Sequence, residues 1–202
     1  MNASTRRWFV MCGVLLFGGS AGCQSFGAND GPGMTLAYGS VIEGRSISVK
    51  SATLPDGARF THTSGVSGGR PKPGQTWRNV PKAVMAASGD HRALPEWVEF
   101  VWSEPPYPED PRMSLAEYRA LPKKTQRLEI KSKIPQSVVA EVIASKKAAQ
   151  PGKVSDKTLW IYIFWTPDGI KMRWAMKDQK SGAGGFGPVI KEGGDDLDQY
   201  DR

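Results

Sequence analysis

The stretch TLWIYIFWTPDGIKMRWAMK, Thr158 to Lys177, constrains the fold more than any other part of the chain. Trp160, Tyr162 and Phe164 alternate with Leu159, Ile161, Ile163 and Trp165, so a strand here is apolar on both faces. Such a strand needs cover on both sides and belongs in the interior of a sheet. Pro167, Asp168 and Gly169 follow: a fixed backbone angle, a side chain that closes turns and a residue that accepts positive φ. They predict a tight hairpin. The return strand sets Ile170, Met172, Trp174 and Met176 against Lys171, Arg173, Ala175 and Lys177, and the second face is expected to meet solvent.

Other segments supply the rest of one domain over 45–179. RSISVKSA, Arg45 to Ala52, alternates as a strand, and Pro55 and Gly57 in LPDGARFTH, Leu54 to His62, predict that the chain turns back as a hairpin. LPEWVEFVWS, Leu94 to Ser103, places Val98, Phe100 and Trp102 on one face and Trp97, Glu99 and Val101 on the other. QRLEIKS, Gln126 to Ser132, offers Leu128 and Ile130 to the core. Four prolines in EPPYPEDPR, Glu104 to Arg112, exclude a regular element, because each lacks the donor that helices and ladders use. Ser114 and Glu117 have capping-box spacing ahead of a short helix that ends at Pro122.

The principal helix is expected over Ile134 to Ala149, where Val138, Val139, Val142 and Ile143 share a side with the stem of Lys146, and Pro151 and Gly152 end it. The glycine-rich stretch Ser64 to Lys82 reads as an exposed loop from which Trp77 tucks back onto the domain. The segment 180–202, rich in glycine and then in aspartate, reads as a solvated tail. The class is therefore α+β: a single domain with a predominantly antiparallel sheet and one principal covering helix.

The amino terminus points outside the cytoplasm. Arg6 and Arg7 precede the apolar run Trp8 to Gly18, which is shorter than the about 20 residues a membrane-spanning helix needs. Charged start, short apolar core and small residues are the parts of a secretory signal peptide, here 1–22. SAGC, Ser20 to Cys23, resembles the lipobox of bacterial lipoproteins, with Ser20 where an aliphatic residue is usual. That resemblance implies a covalent lipid on Cys23 and, with Gln24 next, an outer-membrane address facing the periplasm, while the polar, glycine-rich residues from Gln24 to Thr35 favour a flexible tether, here 23–44. Ordinary cleavage near Ala21, leaving a free thiol, and an uncleaved anchor are the competing readings. Losing Arg6 and Arg7 lowers the formal charge from +7 to +5. The basic residues are dispersed and no nucleic-acid reader motif accompanies them.

Little in the chain suggests catalysis. His62 and His91 are the only histidines, and neither stands in a hydrolase elbow or a zinc-hydrolase motif. Glu99 and Glu104 have no spacing that establishes a glycosidase pair and read as ordinary polar residues. The glycines of the Ser64 to Lys82 loop lack phosphate-loop and dinucleotide spacing, and the aspartates of the tail lack the calcium-loop arrangement. No catalytic residue, metal or cofactor other than the lipid is expected.

Aromatic residues are plentiful. Most build the core, but Trp97, Trp165 or Trp174 on an outer sheet face could anchor a partner. The lipoprotein-like start, LPEWVEFVWS from Leu94, YRALP from Tyr118 and the paired strands around Thr166 to Gly169 resemble small proteobacterial lipoproteins of an uncharacterised domain family, some similar to type VI secretion lipase immunity proteins. The resemblance implies an envelope protein that binds and neutralises a secreted antibacterial toxin, a phospholipase foremost. The alternative is a structural or assembly lipoprotein. For a toxin partner, the candidate surface comprises Arg70, Lys72, Trp77 and Arg173.

Overall fold

A computed structural model describes residues 31–68, 74, 76–80, 82–87, 92–108, 110, 112–149, 155–179 and 187–201. The strands are β1 (Met34–Ser40), β2 (Ser46–Thr53), β3 (Gly65–Ser67), β4 (Ala83–Ala87), β5 (Trp97–Ser103), β6 (Lys124–Glu129), β7 (Lys157–Thr166), β8 (Gly169–Asp178) and β9 (Val189–Gly194). The helices are α1 (Leu115–Ala120) and α2 (Gln136–Ala148). One sheet has the order β4-β1-β7-β8-β9, the other β3-β2-β5-β6.

The doubly apolar segment is indeed central: β7 is third in its five-stranded sheet, paired with β8 in register from Thr166↔Gly169 to Lys157↔Asp178. Its two faces enter two cores. Leu159, Ile161, Ile163 and Trp165 face the second sheet and pack with Ile47, Val49, Val98, Phe100, Trp102 and Leu128. Trp165 meets Phe100 and Trp102 edge-on, with ring centroids 5.8 and 6.4 Å apart. Trp160, Tyr162 and Phe164 on the opposite face join Ala37, Trp77, Ala175 and Leu197 in a smaller cluster.

Helix α2 packs on β7 and contributes Val138, Val139 and Val142 to the main core. Its Glu141 pairs with Lys157 and Lys191, tying the helix to β7 and β9. The β7–β8 turn is fixed from the other sheet. Gln126 of β6 donates to Ile170 O at 3.1 Å and accepts from Ile170 N at 2.7 Å. Gly169 takes φ +108°, which favours glycine, and a Cβ there would displace Gln126 Oε1, 2.5 Å away, from its bond to Ile170 N. Gly57, at φ +81°, closes the turn after β2, where Phe60 N returns to Ala52 O at 2.8 Å.

The Ser64 to Lys82 stretch is not loop throughout, since Gly65–Ser67 is strand β3, paired with β2 and burying Val66; three further expectations need correction. Met34–Ser40, placed in the tether, is strand β1, inserted between β4 and β7 with Leu36 and Tyr38 buried. It pairs with β7 in parallel, so that sheet is mixed, while the remaining pairings are antiparallel. A parallel partner must come from far along the chain, which local alternation does not reveal.

The tail 180–202 is the second correction, because Val189–Gly194 adds to the sheet edge as β9 and Leu197 is fully buried. The third concerns the polar face of β8: Arg173 and Lys177 are partly buried, the Arg173 side chain only 13% exposed, because Trp77 and the carboxy-terminal segment lie over that side. Among the described residues no helix is long and apolar enough to cross a membrane.

Candidate partner-binding site

Of the residues expected to meet a partner, Arg70, Lys72 and the lipidation candidate Cys23 lie outside the described residues, as does His91. Trp77 and Arg173 are brought together, with the Arg173 guanidinium 5.2 Å from the Trp77 ring centre. They do not form an open anchor. Trp77 is only 3% exposed, and its ring packs edge-on against Tyr162 and Phe164. The acidic tail holds it from outside: Trp77 Nε1 donates to Asp198 Oδ1 at 2.7 Å and Trp77 N to Asp201 Oδ1 at 2.8 Å.

Arg78 joins the same lock, pairing with Asp198 at 2.8 Å and Glu192 at 3.0 Å. Hydrogen bonds from Trp77 and then Arg78 hold the Asp198 carboxyl below the usual carboxylate range. Tyr200 caps the segment by donating to Asp168 at 2.6 Å. An acidic partner for this basic, aromatic stretch thus already exists within the chain. The other candidate tryptophans are no freer: Trp165 and Trp174 are buried, and half-buried Trp97 is covered by Arg127, 3.9 Å from its ring centre.

The connection from β5 to β6 is different. These strands are antiparallel neighbours, which a few residues could join, yet 20 residues separate Ser103 from Lys124. Connections between neighbouring antiparallel strands are usually much shorter, and this one carries its own helix, α1. Its root is firmly held. Ser46 N donates to Pro105 O and Tyr107 N to Gly44 O, both at 2.9 Å, while Glu104 accepts from Trp102 Nε1 at 3.0 Å and from Lys124 Nζ at 2.8 Å.

Farther out the arm is built from its own local bonds. Ser114 and Glu117 form the expected capping box, with Ser114 N to Glu117 Oε2 at 2.7 Å and Glu117 N to Ser114 Oγ at 3.2 Å. No residue of α1 is buried, and Leu115 is 63% exposed. A helix that contributes nothing to the core is kept in place by caps and by its root, leaving its apolar side chains available.

Pro105, Pro106, Met113, Leu115 and Tyr118 line a groove of about 270 Å³ along this arm, together with the carboxylate of Asp110. Asp110 is already engaged: hydrogen bonds from the Arg112 side chain and backbone lower its pKa. Lys50 of β2 lies over the Tyr118 ring at 4.9 Å and supplies a cationic rim. Tyr107 stands beside the groove, 40% exposed. Proline rings and a tyrosine face suit the insertion of an apolar side chain.

The residues considered for chemistry are otherwise occupied. His62 Nδ1 donates to Thr63 O at 2.8 Å, Glu99 stands across the ladders from Thr53 and Arg127, and Glu104 anchors the arm. Among the described residues no group of three or more His, Cys, Asp or Glu is placed to hold a metal ion. The sequence marked the arm's prolines and its capped helix but not the groove between them, which depends on how β2 and β5 seat the root. No protein-family model, curated protein or solved structure matches the chain.

Proposed function

We propose that this chain is a periplasm-facing lipoprotein, anchored through Cys23, whose domain binds and neutralises a secreted antibacterial toxin, with a phospholipase as the class the family resemblance implies. The observation that carries the binding part is the 20-residue β5–β6 arm, which keeps an apolar groove and a helix without buried residues outside the core. The groove, about 270 Å³, is at the lower edge of the roughly 300–1,000 Å³ of ligand sites, and its proline and tyrosine lining suits an inserted apolar side chain. Leu115, Met113 and Tyr118 are the anchors in this reading, replacing the loop surface around Trp77. Exposed Leu115 with half-buried Met113 and Tyr118, gathered beside a cationic rim, is the kind of centre on which interface energy concentrates.

The test is the affinity of the purified protein for a secreted phospholipase encoded beside its gene. Leu115→Asp and Tyr118→Ala are each expected to weaken binding about tenfold or more, the effect of losing an interface anchor. Leu115→Asp leaves thermal unfolding unchanged, because Leu115 is mostly in solvent. Undiminished affinity in both folded variants would refute the arm as the interface.

A further inference from the structure

Charge at the β5–β6 arm is unbalanced in one direction. Each described carboxylate of the arm is engaged by its own chain: Glu104 by Lys124 and Trp102 Nε1, Asp110 by Arg112 at 3.2 Å, and Glu117 by Ser114 N and Oγ at 2.7 and 2.8 Å. Two cations beside the groove are not engaged in this way. Lys50, 4.9 Å from the centre of the Tyr118 ring that lines the groove, donates to the neutral Ser48 Oγ at 2.9 Å. Arg119 is exposed and stands four residues after Leu115 on α1, a spacing that makes neighbours on a helix surface. Neither is paired with a carboxylate among the described residues.

The backbone explains how Lys50 comes to be there. The ladder between β2 and β5 shifts register between Val49 and Ser51, and Lys50 is the residue left out of it. A bulge re-aims the side chain it frees, and here that side chain reaches α1 from the neighbouring strand. Of its three donors one goes to Ser48, which leaves two for an incoming group.

We propose that the groove recognises an apolar side chain carried beside a carboxylate, the apolar group seated among Met113, Leu115 and Tyr118 and the carboxylate facing Lys50 and Arg119. This rests on the arm being the toxin-binding surface and names the chemistry of the segment it takes: acidic as well as apolar. A neutral segment gains nothing from the two cations and a basic one is repelled, so the rim selects while the groove holds.

Two small probes separate these roles: N-acetyl-leucine, whose carboxylate stands beside an apolar side chain, and its neutral amide. With the full chain labelled at its methionine methyl groups, the Met113 signal is expected to shift saturably with both, and about fivefold more weakly with the amide, the scale of an exposed charge pair. Lys50→Met combined with Arg119→Met, in a variant whose thermal unfolding matches wild type, is expected to abolish the preference and keep the weaker binding. Equal affinity for the two probes, a preference untouched in the double variant, or no saturable shift with either probe overturns the proposal.

Association with the secreted phospholipase then separates this proposal from the reading beneath it. The double variant is expected to associate about tenfold more slowly than wild type at low salt, and the difference is expected to vanish at about 1 M salt. An unchanged rate and salt dependence overturns the acidic partner and leaves the arm as the interface. No binding by wild type removes the toxin, while a preserved preference between the probes upholds the chemistry of the groove.

Discussion

Trp77 marks the difference between a residue that looks available and one that is. In the sequence it stands in a glycine-rich, basic loop; in the fold it is an interior side chain gripped by Asp198 and Asp201. Trp77→Ala is therefore expected to cost about 3–5 kcal/mol of stability, the usual range for emptying a buried aromatic site, as read by denaturant unfolding. An unchanged midpoint would place the ring outside the core. Lys82 gives a pH signature of the opposite sign to an ordinary ion pair. Its proton is held less tightly in the folded protein, about 8, than at the ordinary 10.5 of the unfolded chain. Below about 8 both states keep the proton and the full penalty for burying the charge applies, and as pH rises toward 10.5 that penalty is relieved. Compared with Lys82→Met, the wild type should gain stability across this window, and a pH-independent difference between the two would contradict the assignment.

At the scale of elements, α2 offers the cleanest test, because Val142 is completely buried against the sheet. Val142→Asp places an unpaired charge there and is expected to lower stability by several kcal/mol in chemical unfolding; a variant as stable as wild type would disprove the packing. The sequence made this helix legible, as it did the β7–β8 hairpin, strand β5 and the capping box of α1, since each is written in local periodicity or in cap and turn chemistry. Strands β1 and β9 were not legible for two different reasons. Leu36 and Tyr38 give β1 only a brief alternation before Gly39 and Ser40, and its burial comes from a parallel partner far along the chain. β9 is an edge strand with mostly exposed side chains, ordered by backbone bonds to β8 and by the contacts of Asp195 with Lys133 and with Met172 N. The site divides in the same way. The arm shows itself in its prolines and cap, but the engagement of Trp77 and Arg78 by the tail is a tertiary fact.

For the molecule as a whole, the acidic end and the basic, aromatic loop satisfy one another, so the charge that looked like a lure for an external acidic partner is partly spent inside the domain. Among the described residues, the β5–β6 arm is an outward feature that the chain's acidic end does not cover. The arm carries the central claim, and the proposed envelope address fits it: a tethered domain of the kind proposed would intercept an incoming toxin only through a surface not already occupied by its own chain. The most direct measurement is protection of toxin-exposed cells displaying equal surface amounts of wild type or a folded Leu115→Asp, Tyr118→Ala variant. Survival with the wild type and killing with the variant, alongside its loss of toxin affinity, is the predicted result. Equal survival at equal affinity would contradict the arm as the neutralising surface, and killing in both would contradict toxin neutralisation and favour a structural or assembly role in the envelope.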